Sequence, residues 1–217
     1  MRNLEIEFKW NAQEPRAFLR MLNAIKKELP SQYISPKKQL YIADVYVDHA
    51  DHQFEKQKLA FRVRHVGKMW EATFKTRTKL VNGKAVRREE TQPLIGVRNL
   101  EQALANLDAQ KRWKRLSVKG LNPLFTILNK RCVRTIKHPF FQAELAFDDC
   151  VICVGEKRAL LKEIELELKC GNARVFDQFV KKISAGSGLK RATSSKVKIA
   201  VGLLREKIYN ELSGPCV

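Results

Sequence analysis

Two segments of this chain share one chemical pattern: Glu5-Ile6-Glu7-Phe8-Lys9 and Glu165-Leu166-Glu167-Leu168-Lys169, the second preceded by Lys162-Glu163-Ile164. On a strand, successive side chains point to opposite faces, so each segment shows an apolar face and a face of carboxylates ending in a lysine. Carboxylates held beside fixed cations suit a divalent metal gripping a polyphosphate. One such strand alone also reads as the solvated face of an amphipathic sheet. Whether other strands repeat the habit decides between the two.

They do. Leu59-Ala60-Phe61-Arg62-Val63-Arg64 puts two arginines on one face, and Trp70 to Arg77 separates Trp70, Ala72 and Phe74 from Glu71, Thr73, Lys75 and Arg77. Ala85 to Thr91 is charged on both faces, so either Arg87 with Glu89 or Arg88 with Glu90 shares the functional one. Gln142 to Asp148 alternates again, with Glu144 and Asp148 in phase. A merely solvated face does not require cationic strands in the middle of the sequence and acidic strands at both ends. If an antiparallel sheet closes on itself, charged inner faces meet across a lumen and helices can cover the apolar outer faces.

These segments, in this order, resemble the CYTH proteins, or triphosphate tunnel metalloenzymes, from Glu5 to about Leu204. Glu5 to Lys9 resembles the opening E-x-E-x-K signature, Val45-Tyr46-Val47-Asp48 with Asp51 the tyrosine-to-aspartate strand end, and Phe61 to Arg64 the paired-arginine strand. Thr73-Phe74-Lys75 is similar to the T-x-K strand, Arg87-Arg88-Glu89 to the R-x-E strand, and Pro123-Leu124-Phe125 with Arg131 to the start of the second half. Glu144 to Asp148 and Glu163 to Lys169 resemble the closing acidic strands, and Ser195-Lys196 the pair opening the last helix. Departures are Thr91, where relatives often carry an acid, and His49-Ala50 in place of threonine and proline. The phase of Asn129-Lys130-Arg131 leaves either Arg131, or Lys130 with Arg134, facing the lumen.

The resemblance implies hydrolysis of a terminal phosphoanhydride. Lys9, Arg62, Arg64, Lys75, Arg87 and Arg131 would cradle a triphosphate, with Lys196 closing one end, because guanidinium forks match non-bridging phosphate oxygens. Magnesium or manganese prefers oxygen ligands, which Glu5, Glu7, Glu165 and Glu167 offer. Glu163, Glu165 and Glu89 are candidates for holding the attacking water, and Glu144 and Asp148 for a second metal or the acidic wall. Inorganic triphosphate is the preferred substrate, since no motif is dedicated to an adenine or a thiamine. The alternatives are a hydrolase or cyclase acting on an organic triphosphate, and a non-enzymatic binder of polyphosphate or RNA.

Composition agrees. Forty-two lysines and arginines against 23 acids give a net charge of +19, so an anionic partner is expected, with nucleic acid a less favoured candidate than a small triphosphate. No stretch is apolar and long enough to span a membrane and no signal segment opens the chain, so the cytoplasm is the expected compartment. The five cysteines show no disulfide framework. Cys150-Val151-Ile152-Cys153 lacks a second pair at zinc spacing, and His49 and His52 read as solvent-facing turn residues.

Helical periodicity places Phe18, Leu19, Leu22, Ile25 and Leu29 on one face of residues 14 to 29, and Val175, Phe176, Phe179, Val180 and Ile183 on one face of 172 to 184. A last helix near 195 to 211 carries Ile199, Ala200, Leu203 and Leu204, capped by Ser194 or Ser195. A middle helix near 98 to 110 carries Leu100, Leu104 and Leu107. Lys111 to Gly120 reads as a solvated linker with Trp113 partly packed, although cations around an aromatic also permit nucleic-acid contact. Gly214 to Val217 reads as a frayed end. The expected fold is α+β: one domain over 1–217, a closed antiparallel eight-stranded barrel with a charged lumen and flanking helices. Pseudo-halves at about 1–95 and 123–204 are joined by the middle helix and the basic linker. The oligomeric state stays open.

Overall fold

The computed structural model describes residues 3–81, 84–109 and 118–213. The linker at 111–117, with Trp113, and the C-terminal 214–217 lie outside the described residues. In chain order the elements are β1 (Asn3–Asn11), α1 (Ala17–Glu28), β2 (Lys38–Asp48), α2 (Gln53–Lys56), β3 (Ala60–Val66), β4 (Met69–Lys75) and β5 (Lys79–Val81). They continue as β6 (Lys84–Pro93), α3 (Leu100–Ala109), β7 (Asn122–His138), β8 (Phe141–Val154), β9 (Lys157–Gly171), α4 (Ala173–Ser187) and α5 (Lys196–Ser213).

Eight strands close a ring in the order β1-β9-β8-β7-β2-β3-β4-β6, with β6 returning to β1; every pairing is antiparallel. The short β5 pairs with β6 outside the ring. Closure leaves no long unpaired edge, and it forces each strand's alternation into an inside and an outside.

Outside, two apolar layers form. α1 and α4 cover Phe8, Trp10, Leu145, Ile164 and Leu166 with Met21, Ile25, Phe176, Phe179 and Ile183. Arg191 stacks its guanidinium over the rings of Phe8 and Trp10, at 4.6 and 4.3 Å. α3 places Ala103 and Leu107 over Phe61, Val63 and Ala72. Each fully buried side chain of this size contributes about 1.5–3 kcal/mol. Leu19 is not in the α1 stripe: it is 50% exposed, and Met21 is buried instead. At 100° per residue, Leu19 lies about 140° from the stripe centred on Met21 and Ile25.

α5 is placed differently from the other covering helices. Ala200 and Leu204 pack on Phe125, Ile127, Cys150, Ile152 and Val154. Ile127 is in phase with Arg131, and Cys150 and Ile152 with Asp148, so α5 lies across the inner face and plugs one end of the barrel. It can do so because the inward phase of β7 and β8 turns from charged to apolar partway along. Ser195 caps α5, its hydroxyl accepting from Lys198 N at 3.1 Å. Asn172 caps α4, accepting from Arg174 N and Val175 N at 3.0 and 3.1 Å.

One expectation about the turns needs correction. His49 and His52 are half-buried, not solvent-facing; His49 packs edge-on against Phe54 at 5.2 Å. Cys150 and Cys153 fall within β8 on opposite faces, since an i, i+3 spacing on a strand changes side. No described helix is long and apolar enough to cross a membrane.

Candidate active site in the barrel lumen

Register brings the charged residues into opposition. Antiparallel pairing sets Lys9 beside Glu165, Glu5 beside Arg87, Lys75 beside Glu89, Arg131 beside Asp148, and Arg64 beside Asp44. Directly opposite side chains on one face are within reach of each other, so each of these becomes an ion pair. Both open alternatives are resolved. Arg87 and Glu89 face inward, and so does Arg131, whereas Lys130 is exposed and Arg134 donates to the Ser35 carbonyl at 2.7 Å.

The deepest group is Asp148, Glu163 and Glu165, all buried, with one carboxylate oxygen from each lying within 4.8 Å of the others. Lys196, at the first turn of α5, inserts its ammonium among them: 2.6 Å from Asp148 Oδ2, 2.9 Å from Glu165 Oε1, and in contact with Glu163 Oε1. Arg131 grips Asp148 with two hydrogen bonds of 2.7 Å and also touches Glu165, which pairs with Lys9 as well. Burial pushes all three carboxyls up. Lys196, Lys9 and Arg131 outweigh it at Glu165, which stays well below the ordinary range, and Lys196 and Arg131 do the same at Asp148. Glu163 is left raised, and its Oε2 has no hydrogen-bond partner.

A second group comprises Glu5, Glu89, Lys75 and Arg87. Arg87 Nε lies 2.6 Å from Glu5 and 2.9 Å from Glu89, and Lys75 also contacts Glu89. Burial and then the neighbouring Glu7 push Glu5 up to about 8. Lys75 is lowered to about 8, by burial first and then by Arg62 and Arg87. Glu7 links the two groups, 3.3 Å from Lys9 and 3.4 Å from Arg87.

The paired arginines of β3 are organised by a residue that the sequence reading overlooked. Asp44, in phase with Tyr46 on β2, holds Arg64 by two hydrogen bonds and lies 3.6 Å from Arg62. Alternation along Ile42-Ala43-Asp44-Val45-Tyr46 was the available signal. Arg62 also donates to Thr73 Oγ1 at 3.2 Å, which meets Thr91 Oγ1 at 3.0 Å, so Thr91 closes a hydroxyl pair with Thr73.

Two of the metal candidates stand apart from the acidic trio. Glu144 and Glu167 lie toward the barrel end formed by the start of β8 and the end of β9. Glu167 accepts from Lys169 at 2.6 Å, and Glu144 is 3.6 Å from Arg131. One cavity of about 1520 Å³ runs through the barrel, lined by Lys9, Arg62, Arg64, Lys75, Arg87 and Arg131 among others. A hollow of buried cations around three clustered carboxylates can hold a polyanion together with a hard divalent ion.

The sequence profile of the CYTH domain matches residues 3–199. An inorganic triphosphatase of Haemophilus influenzae is 30% identical over 159 residues, covering 73% of this chain and 45% of that protein, so the match spans under half the relative's length. Among solved structures, the Hippeastrum protein HpAC1, reported with a dominant triphosphatase activity, superposes with a TM-score of 0.63 at 15% identity, covering 94% of this chain and 96% of that one. The PH1819 protein of Pyrococcus horikoshii gives 0.61 at 17% identity, covering 92% and 99%. At these identities the structural likenesses speak for the fold alone.

Proposed function

The chain belongs to the CYTH, or triphosphate tunnel, family, and on that premise we propose that it hydrolyses the terminal phosphoanhydride of inorganic triphosphate inside the lumen, with Mg²⁺ or Mn²⁺. The observation that carries this reading is the convergence of five cations from five strands, Lys9, Arg62, Lys75, Arg87 and Arg131, with Lys196 from α5, around buried carboxylates. A cradle of this kind neutralises a compact polyanion from all sides.

Asp148, Glu163 and Glu165 fit a divalent ion: three oxygen donors at mutual reach, with an unpartnered buried oxygen on Glu163. A bound Mg²⁺ or Mn²⁺ would draw charge from phosphoryl oxygens and acidify a coordinated water. Glu5, Glu7 and Glu89 supply a second acidic wall across the lumen.

The arginines hold the non-bridging oxygens and fix the chain in line for displacement. Water adds at the terminal phosphorus, the bridging P–O bond breaks, and orthophosphate and pyrophosphate leave. Of the trio, Glu163 is best suited to take the water's proton, because Glu165 and Asp148 are committed to fixed cations while Glu163 keeps a free oxygen. Lys75 and Arg87 stabilise the charge that grows on the leaving pyrophosphate.

The absence of a base platform supports an inorganic substrate. Among the described residues that line the cavity, Tyr46 is the sole aromatic, and it is buried and stacked on Phe125 at 4.7 Å. The test is phosphate release from inorganic triphosphate, ATP and thiamine triphosphate with Mg²⁺, Mn²⁺ or chelator. Metal-dependent turnover highest on inorganic triphosphate is expected; preference for either organic substrate contradicts the reading.

A further inference from the structure

Asn129 stands on β7 between two in-phase neighbours, Arg131 on one side and Ile127 on the other, where the inner wall passes from charged to apolar. It is 5% exposed, it lines the cavity, and its Oδ1 is buried with no hydrogen-bond partner among the described residues. Directly opposite lie Ile42 on β2 and Cys150 on β8, both buried, so Arg131 is the polar member of an otherwise apolar setting. A valine or leucine would suit that setting better, because an unpaired buried amide costs stability and gains none. Natural chains keep such a group where function uses it.

Its position points to the use. Two residues along from Ile42 and Cys150 come Asp44 and Asp148, the carboxylates that hold Arg64 and Arg131. The amide therefore lies at the floor of the cradle, between two of its ion pairs and short of the end that α5 plugs. Whichever way it is turned, it offers one acceptor oxygen and two N–H donors. An acceptor needs a donor, and the fixed cations nearby are committed: Arg64 to Asp44, Arg131 to Asp148 and Glu165, Lys196 to the acidic trio. Ionised phosphoryl oxygens only accept. Water is the donor that remains, and Glu163 Oε2 is a second buried acceptor without a partner.

We infer that Asn129 is the second holder of the attacking water, which rests on the reading of the lumen as a phosphoanhydride hydrolase. One O–H of the water points to Glu163 Oε2 and the other to Asn129 Oδ1, which leaves a lone pair for the terminal phosphorus. As the new P–O bond forms, the first proton passes to Glu163. The second stays on the orthophosphate oxygen, still hydrogen-bonded to Asn129, and pyrophosphate leaves with the electron pair of the broken bridge. A neutral amide suits this seat: it does not compete with Glu163 for the proton, and unlike a carboxylate it does not repel the incoming phosphate. Its N–H groups stay free to donate to a phosphoryl oxygen.

The experiment compares wild type with Asn129→Val and Asn129→Thr, two side chains of one shape that differ by a hydroxyl. Thermal unfolding and kcat and KM on inorganic triphosphate with Mg²⁺ are measured for each. Asn129→Val should melt at or above the wild-type temperature, since it trades an unpaired buried amide for an apolar group among apolar neighbours. Its kcat should fall about tenfold or more while KM stays within about threefold, the pattern of a contact made to the water and not to the ground-state substrate. Asn129→Thr should run at least about threefold faster than Asn129→Val, and the pH profile of kcat should keep its shape in both, because the proton acceptor is unaltered. Wild-type kcat in Asn129→Val, equal rates in the valine and threonine variants, or a kcat loss that only tracks a lower melting temperature overturns the inference. If wild type turns over and Asn129→Val is unimpaired, this inference falls alone. If wild type leaves triphosphate intact, the hydrolase reading falls and takes this one with it.

Discussion

Asp44 holds Arg64 in a two-pronged grip, Nε to Oδ1 at 2.6 Å and Nη2 to Oδ2 at 2.8 Å, while standing 3.6 Å from Arg62. One buried carboxylate thereby fixes both guanidinium groups of β3. Burial alone would raise its pKa; Arg62, and then Arg64, pull it down to about 2. Asp44→Asn should lower kcat/KM on triphosphate at least about tenfold and cost about 3 kcal/mol in denaturant unfolding, because it leaves buried guanidinium charge uncompensated. The folded pKa lies below the unfolded value of about 3.9, so the stabilisation is complete at neutral pH and drains away as pH falls from about 4 toward 2. The wild-type advantage in unfolding free energy should shrink over that window. A pH-independent difference contradicts the role.

Lys75 gives the site a basic limit. Burial, then Arg62 and Arg87, lower it to about 8. As pH rises through 8 the free protein loses a cradle charge, so KM for triphosphate should climb. Lys75→Arg retains the charge and should flatten that rise. An unchanged alkaline limb in the variant assigns the effect elsewhere.

The ammonium of Lys196 occupies the space among Asp148, Glu163 and Glu165 that a divalent ion would share. Removing it leaves three buried carboxylates facing fewer cations. Lys196→Ala should therefore melt lower without metal and gain more from Mn²⁺ than wild type does. Mass action stabilises by about 2.7 kcal/mol when the free ion is 100 times its Kd. Equal Mn²⁺ shifts in the two proteins, read by thermal unfolding, contradict metal binding at the trio.

Much of this site was legible because a strand's period of two is rigid. Once Glu5, Glu7 and Lys9 shared a face, so did Glu163, Glu165 and Glu167, and closure turned those faces inward. What the sequence did not reveal depended on register. The opposition of Arg131 to Asp148, the seat of Lys196 in the acidic trio, and the separation of Glu144 and Glu167 from it follow from which residue lies across from which. Asp44 was missed because it sits among apolar neighbours on a strand read only for its tyrosine and its terminal aspartate. The inner position of α5 depends on Ile127 and Ile152, apolar residues that share phase with the charged lumen.

The turn into α4 offers a test of the fold itself. Gly171 has φ +103°, and a Cβ there would lie 2.4 Å from the Phe140 carbonyl oxygen. Gly171→Ala should destabilise by more than about 1 kcal/mol, and an unchanged melting temperature contradicts this close approach.

The central claim is tested most directly by phosphorus NMR of inorganic triphosphate incubated with the protein and Mg²⁺ or Mn²⁺. Equimolar orthophosphate and pyrophosphate should appear, with no turnover in chelator and a loss of at least about a hundredfold in Glu163→Gln, within the range a positioned base contributes. Triphosphate that stays intact with metal present, or that is cleaved equally well in chelator, contradicts the account.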